Sequence, residues 1–169
     1  MKLNFSCGKD IKKGFVNCDV QIHKDIVYCD MNKFPYPFED NTFDYIFLKG
    51  AFCYAEDPER VLFELRRILK NNAIIKIEEI PFYNNKGAVT LMGTKSFYSE
   101  TTFPYFVSCA NGKHYCYFKT NKKFEINELE LIPSKLGKWI YPKWLRMKLS
   151  NFFGGIINSI NVELKVFKN

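Results

Sequence analysis

The sequence predicts an open α/β sheet, mostly parallel, and three observations carry the prediction. The first is a short apolar stretch, Leu3-Asn4-Phe5, that stops in the turn Ser6-Cys7-Gly8. A strand ending in glycine lets the backbone approach a ligand, because a missing Cβ opens conformations and space that other residues block. The second is the set of runs that follows: FVNCDV at 15–20, DIVYCDM at 25–31 and FDYIFLKG at 43–50, each with an acid or a glycine at or beside its end. Buried strands of an open sheet read this way when their C-terminal ends line a crevice. The third is one helix signal between the fourth and fifth strands. Asp57 suits the N-cap, Pro58 the first helical position, and Val61, Leu62, Leu65, Ile68 and Leu69 form one stripe.

Between Gly8 and Phe15 the segment KDIKKG has room for at most a turn or two of helix, short of an ordinary crossover. Asp19 near the end of strand two is placed to accept hydrogen bonds from ribose hydroxyls, and Asp30 beyond strand three to take an amino group of a base. Loop-start acids facing water are the alternative for both. Residues 32–41, with Pro35 and Pro37, form a connection that excludes helix interior. The helix from Asp57 is expected to stop at Asn71-Asn72, and strand five to run from Ala73 to Ile80 before Pro81. Residues 95–106 read as a lid segment before a last helix, 107–119 as a hairpin around Asn111-Gly112, and 124–132 as a strand with a bulge near Glu128-Leu129. Ile160, Val162, Leu164 and Val166 alternate with polar neighbours in the cleanest strand of the chain.

At 169 residues with 47% hydrophobic and 25% charged side chains, the chain has the size of one globular domain with a buried core. The net charge of +7 is spread along most of the chain, which reads as a solvated basic surface. No secretory signal opens it and no apolar run approaches the ~18 residues of a spanning helix, so a soluble, cytoplasmic protein is expected. The six cysteines, Cys7, Cys18, Cys29, Cys53, Cys109 and Cys116, contain no CxxC pair, and no zinc site is expected. All six read as small buried hydrophobes.

LNFSCG, then GFVNCDV, then the segment from DMNKFPYPFEDNTFDYIFLKG to ELRRILKNN and IKIEEIP resembles the core of the class I S-adenosylmethionine-dependent methyltransferases. The nearest pattern is their small type with LNLGCG, GWxNVD and PFPF-x-D-x-S-F-D motifs. The likeness covers about residues 1–81, in the right order. It implies a Rossmann-like open sheet of about seven strands, with an antiparallel C-terminal strand paired beside 124–132; an N-terminus minimal for the family, without an upstream helix, is expected as a departure from it. The likeness also implies S-adenosylmethionine as cofactor and methyl transfer to a small-molecule, glycan or lipid-linked acceptor. Carried over by position, Ser6, Cys7 and Gly8 match the loop against the methionine part. Asp19 matches the acid on the ribose and Val20 the apolar residue on the adenine. Asp30 and Met31 match the pair reading the adenine edge, and Lys49, Gly50 and Ala51 the end of strand four beside the sulfonium.

The sequence departs from the pattern at several positions. Asn4 stands where many members carry an acid, Ser6 replaces a loop glycine, Phe52-Cys53-Tyr54 replaces an LEH triplet, and Asn71-Asn72 replaces the glycine turn. With that histidine absent, Tyr54 and His114 are the remaining candidates for a base, in a reaction where a dedicated base is optional.

An insertion at about 133–158 carries Lys135, Lys138, Lys143, Arg146 and Lys148 among Trp139, Tyr141, Trp144, Phe152 and Phe153, with no acid. Three readings fit: a helix whose apolar side covers the sheet, peripheral contact with an anionic membrane, or a surface for single-stranded nucleic acid. The covering helix, with Trp144 buried, is the expectation. The rival to an enzyme is a catalytically weak or inactive protein of the same fold, acting through this insertion on a membrane or nucleic acid.

Overall fold

The computed structural model describes residues 1–21, 24–86, 88, 92–111 and 123–168. Seven strands form one sheet: β1 Lys2–Phe5, β2 Val16–Asp19, β3 Ile26–Tyr28, β4 Phe43–Lys49, β5 Leu69–Pro81, β6 Phe124–Pro133 and β7 Ile157–Val166. Their spatial order is β3-β2-β1-β4-β5-β7-β6. Neighbours pair in parallel from β3 through β5, and β7 is inserted antiparallel to both β5 and β6. The strand order reverses at β1, whose partners are β2 on one side and β4 on the other, so the strand ends diverge there and leave a crevice. The expected bulge in β6 is present as a register shift between Ile126 and Glu128. The third strand is an edge: Val27 and Tyr28 are exposed, because no further strand covers them.

The register sorts the sheet into two unlike faces. Cys18, Phe5, Leu48, Ile77, Val162 and Leu129 stand side by side across six strands, and all belong to or pack on the core. One residue back, the row is Asn17, Asn4, Phe47, Lys76, Glu163 and Glu128. Successive side chains point to opposite faces, so one face is apolar and the other polar. Parallel sheets are usually covered on both faces. Here, among the described residues, no helix lies between β1 and β2 or between β2 and β3.

A polar network takes the place of a helix at the first crossover. Asn4, 2% exposed, donates from Nδ2 to the Asp10 carbonyl at 2.7 Å and to Asn17 Oδ1 at 2.8 Å. Asn17 in turn accepts from the Lys12 amide and donates to the Lys12 and Phe15 carbonyls. Residues 9–15 are thereby tied flat against the polar face, with the Lys12 ammonium 4.6 Å from the Phe47 ring centre and Phe15 edge-on to Tyr45.

Three α-helices lie wholly within the described residues: α1 Pro58–Ile68, α2 Thr102–Ala110 and α3 Lys143–Ser150. In α1 the Asp57 carboxylate accepts the Arg60 amide, Pro58 opens the first turn, and Val61, Leu62, Leu65 and Ile68 are buried. The helix ends at Ile68 rather than at Asn71-Asn72, because Leu69 already turns extended and pairs with Phe43. The segment from 102 to 110 is helical, which corrects the hairpin expected from residue 107. Phe103, Phe106, Val107 and Ala110 follow helical spacing onto the core, and Phe106 packs on Phe63 and Phe124. The remainder of that expected hairpin lies outside the described residues. Cys7, Cys18, Cys29 and Cys53 are buried and unbridged, while Cys109 on α2 is half-buried and Cys116 lies outside the described residues.

The insertion also corrects the sequence reading. Only Ser150 of α3 is fully buried, and Trp144 is 61% exposed, so this helix does not cover the sheet with its aromatic side. No described helix is long and apolar enough to cross a membrane.

Candidate functional site

Every residue that the motif assigns to the cofactor lines one cavity of about 520 Å³. Ser6, Cys7 and Gly8 come from the end of β1, and Asp19 and Val20 from the end of β2. Asp30 and Met31 follow β3, and Lys49, Gly50 and Ala51 close β4. The cause is topological: parallel strands all present their C-terminal ends to the same edge, and the reversal of order at β1 opens it. Gln21, Asn32 and Tyr54 complete the lining. Gln21 and Asn32 carried no sequence signal of their own, although each stands directly beside an assigned residue.

Backbone conformation shapes the floor. Ser6 at φ 54°, Gly8 at φ 51° and Gly50 at φ 64° are all left-handed, a region glycine enters freely and serine does not. Cys7 donates its amide to the Cys18 carbonyl, which locks the turn to β2. A Cβ added at Gly8 or Gly50 would meet no atom within 4 Å, so the space above both is open to a ligand.

Asp19, 8% exposed, is held from two sides: Oδ2 accepts the Gly8 amide at 2.8 Å and Oδ1 the Gln21 amide at 2.9 Å. A carboxylate offers about four acceptor positions, so these two bonds leave capacity for further donors. Asp30 is similarly oriented by the Asn32 amide at 3.0 Å and by the Lys33 ammonium at 3.3 Å. Hydrogen bonds to Tyr28 first and Asp30 second push the Lys33 pKa up. Asn32 bridges the cavity mouth, donating to the Tyr54 carbonyl and accepting the Glu56 amide. Val20 is exposed on the rim, where an apolar ring system would cover it. These features fit an adenosyl ligand in residue type and in space.

Burial, reinforced by the Asp19 carboxylate, pushes the Cys7 thiol up. At neutral pH Cys7 is therefore a thiol, and it is not a competing nucleophile inside the cavity. Tyr54 lines the cavity and its ring lies close to Gly93, where a Cβ would come within 3.1 Å of the ring. Lys95 and Ser96 donate their amides to the Cys53 carbonyl, which ties this stretch to the residue beside Tyr54. The structure thus brings one of the two candidate bases to the site. His114 lies outside the described residues.

Residues 6–77 match a family described as a methyltransferase domain. No curated protein matches the chain by sequence. Among solved structures, an S-adenosylmethionine-dependent methyltransferase from Mesorhizobium loti aligns with a TM-score of 0.58 at 13% identity, covering 97% of this chain and 89% of its own. One from Methanosarcina mazei aligns with 0.58 at 13%, covering 99% and 92%. The [4+2]-cyclase SpnF aligns with 0.62 at 14%, covering 99% and 74%. At such identities the structures speak for the fold alone, and a fold hosts more than one chemistry. Family match, fold and cavity point the same way: residues 6–77 are similar to a methyltransferase domain, the chain shares the Rossmann-like fold of its S-adenosylmethionine-dependent methyltransferase neighbours, and the cavity lining fits S-adenosylmethionine.

Proposed function

We propose that this protein transfers the methyl group of S-adenosylmethionine to a nucleophile on a small-molecule, glycan or lipid-linked acceptor. The observation that supports the reading is the convergence of the β1, β2, β3 and β4 ends on one cavity lined by all the motif-assigned residues. The bound cofactor would supply an electrophilic methyl on sulfur. Asp19 would hold the ribose through its remaining acceptor positions, and Asp30 with the Met31 amide would orient the adenine edge. Gly8 and Gly50 let the backbone lie against the ligand. Tyr54, which lines the cavity and packs beside Gly93, would meet the acceptor and exclude water. Methyl displacement needs the nucleophile in line and dry, so positioning carries most of the rate.

Calorimetric titration with S-adenosylhomocysteine tests this. Wild type is expected to bind in the micromolar range, about −8 kcal/mol, and Asp19→Ala to lose roughly 1 to 3 kcal/mol with the ribose hydrogen bonds. Circular dichroism checks that the variant, which also gives up its hold on Gly8 and Gln21, remains folded. A folded wild type that gives no heat refutes the proposal.

A further inference from the structure

The segment after β6 inverts the ordinary pattern of a surface insertion. Ile140 and Leu149 pack partly against the core, but its closest inward contacts are made by small residues. Gly137 is buried so closely that a Cβ would sit 2.0 Å from the Ile156 carbonyl oxygen, and at Gly154 one would sit 2.8 Å from that of Asn84. Ser150 is fully buried and its carbonyl accepts the Asn84 amide side chain. The large side chains face out: Trp139 is 88% exposed, Tyr141 85% and Phe152 82%, with Leu136, Trp144 and Phe153 also exposed. Apolar patches of this kind on a folded surface mark contact sites.

Charge selects the partner. Lys135, Lys138, Lys143, Arg146 and Lys148 share the segment, and no acid occurs between Glu130 and Glu163. The Lys148 ammonium lies 5.5 Å from the Trp144 ring centre, so cation and aromatic surface are presented together. A second copy of the chain would set cations against cations. One further feature points to an anionic group. The Arg146 Nε is buried without a hydrogen-bond partner among the described residues, and Arg146 and Lys143 line a cavity of about 430 Å³ together with Leu129, Leu131, Met147 and one acid, Glu130. Two cations against a single carboxylate, beside apolar side chains, suit a headgroup and the start of its acyl chain.

We propose that residues 135–153 form a docking surface for an anionic lipid bilayer, with aromatic side chains entering the interface and the lysines meeting headgroups. The Phe152, Phe153 and Leu136 side chains offer hydrocarbon without a polar tip, which favours acyl chains over the stacked bases of a nucleic acid. The proposal does not depend on methyl transfer.

The test exploits the fact that Trp139 and Trp144 are the only two tryptophans, so intrinsic emission reports on this surface alone. Mixed phosphatidylcholine and phosphatidylserine vesicles should shift the emission to the blue, pure phosphatidylcholine should not, and added sodium chloride should reverse the shift. Lys143→Gln with Lys148→Gln should lower partitioning about 30-fold, from ~1 kcal/mol per cation at the surface. Trp139→Ala with Trp144→Ala should lose vesicle flotation while keeping the wild-type melting temperature, since both rings are exposed. Absence of a shift with the acidic vesicles overturns the proposal. So does an equal response to neutral vesicles, or tighter, salt-sensitive binding to a single-stranded oligonucleotide than to the acidic vesicles.

Discussion

Replacing Asn4 with aspartate is a nearly isosteric change that the polar face of the sheet should reject. The Asn4 amide nitrogen donates at 2.7 Å to the Asp10 carbonyl and at 2.8 Å to Asn17 Oδ1, both of which can only accept. Asn17 cannot turn its amide to help, since its Nδ2 is committed to the Lys12 and Phe15 carbonyls and its Oδ1 also holds the Lys12 amide. An ionised carboxylate introduced by Asn4→Asp would face two acceptors at a position only 2% exposed. Two lost hydrogen bonds at roughly 1 kcal/mol each, plus repulsion of the buried charge, give a loss of about 3 kcal/mol near neutral pH. The new carboxyl's pKa is raised in the folded state, so the repulsive part of the loss is absent below its unfolded value of about 3.9 and grows as pH rises through the folded one. Urea unfolding followed by far-ultraviolet circular dichroism, at neutral and mildly acidic pH, measures this as the difference from wild type at each pH. A variant as stable as wild type at neutral pH, or a deficit that does not shrink on acidification, would refute the reasoning.

Other perturbations address the frame around the cavity. Arg67 on α1 donates to Glu64, Asp40 and the Tyr36 and Phe38 carbonyls, pinning the proline-rich 32–41 connection; Arg67→Ala should cost about 2 to 4 kcal/mol in urea unfolding because partly buried acceptors are left unpaired. Burial works against ionised Glu64, but the Arg67 hydrogen bonds prevail and hold its pKa below the usual range. Glu64→Gln should therefore lose stability at neutral pH, with the difference from wild type closing as pH falls through the lowered pKa, seen in melts across pH. Truncation before Ser159 removes most of β7 and uncovers both β5 and β6; one-dimensional proton NMR should then show an unfolded chain, and sharp dispersed signals would show that the sheet does not need this strand.

Strand ends were legible in the sequence because period-two apolar patterning and a terminal acid or glycine are local signals. Asp19, Asp30 and Gly50 needed only the parallel order to meet. Asn4 read as a departure from a family pattern, and its reason is visible only when Asp10 and Asn17 are folded onto it. Helix α2 was missed because the Asn111-Gly112 pair is a strong turn signal and outweighed the Phe103, Phe106, Val107 and Ala110 stripe before it. In the insertion, periodicity shows which residues share a face and cannot show which face is inward. Trp139 and Trp144 would give the same pattern buried or exposed, and burial of Gly137 and Ser150 instead is a matter of tertiary packing.

The two unlike faces of the sheet also explain how a chain with such short connections after β1 and β2 keeps its cavity. Among the described residues no helix connects β1 to β2 or β2 to β3, and the cross-strand row of the polar face is Asn17, Asn4, Phe47, Lys76, Glu163 and Glu128. Asn17, Asn4 and Phe47 of this row are buried against residues 9–15, and the remaining members cost little when left wet, since Lys76 pairs with Glu78 at 3.3 Å and Asn127 with Glu163 at 3.1 Å. The opposite face carries Leu3, Phe5, Ile46, Leu48, Ile75 and Ile77, all fully buried, and so supplies the hydrophobic stabilisation. The Ser6-Cys7-Gly8 turn and Gly50 emerge directly from β1 and β4 in the middle of that buried block. The cavity floor is thus anchored on the most buried strands while its walls are loops. That division suits a site whose cofactor contacts must stay fixed while its mouth admits an acceptor.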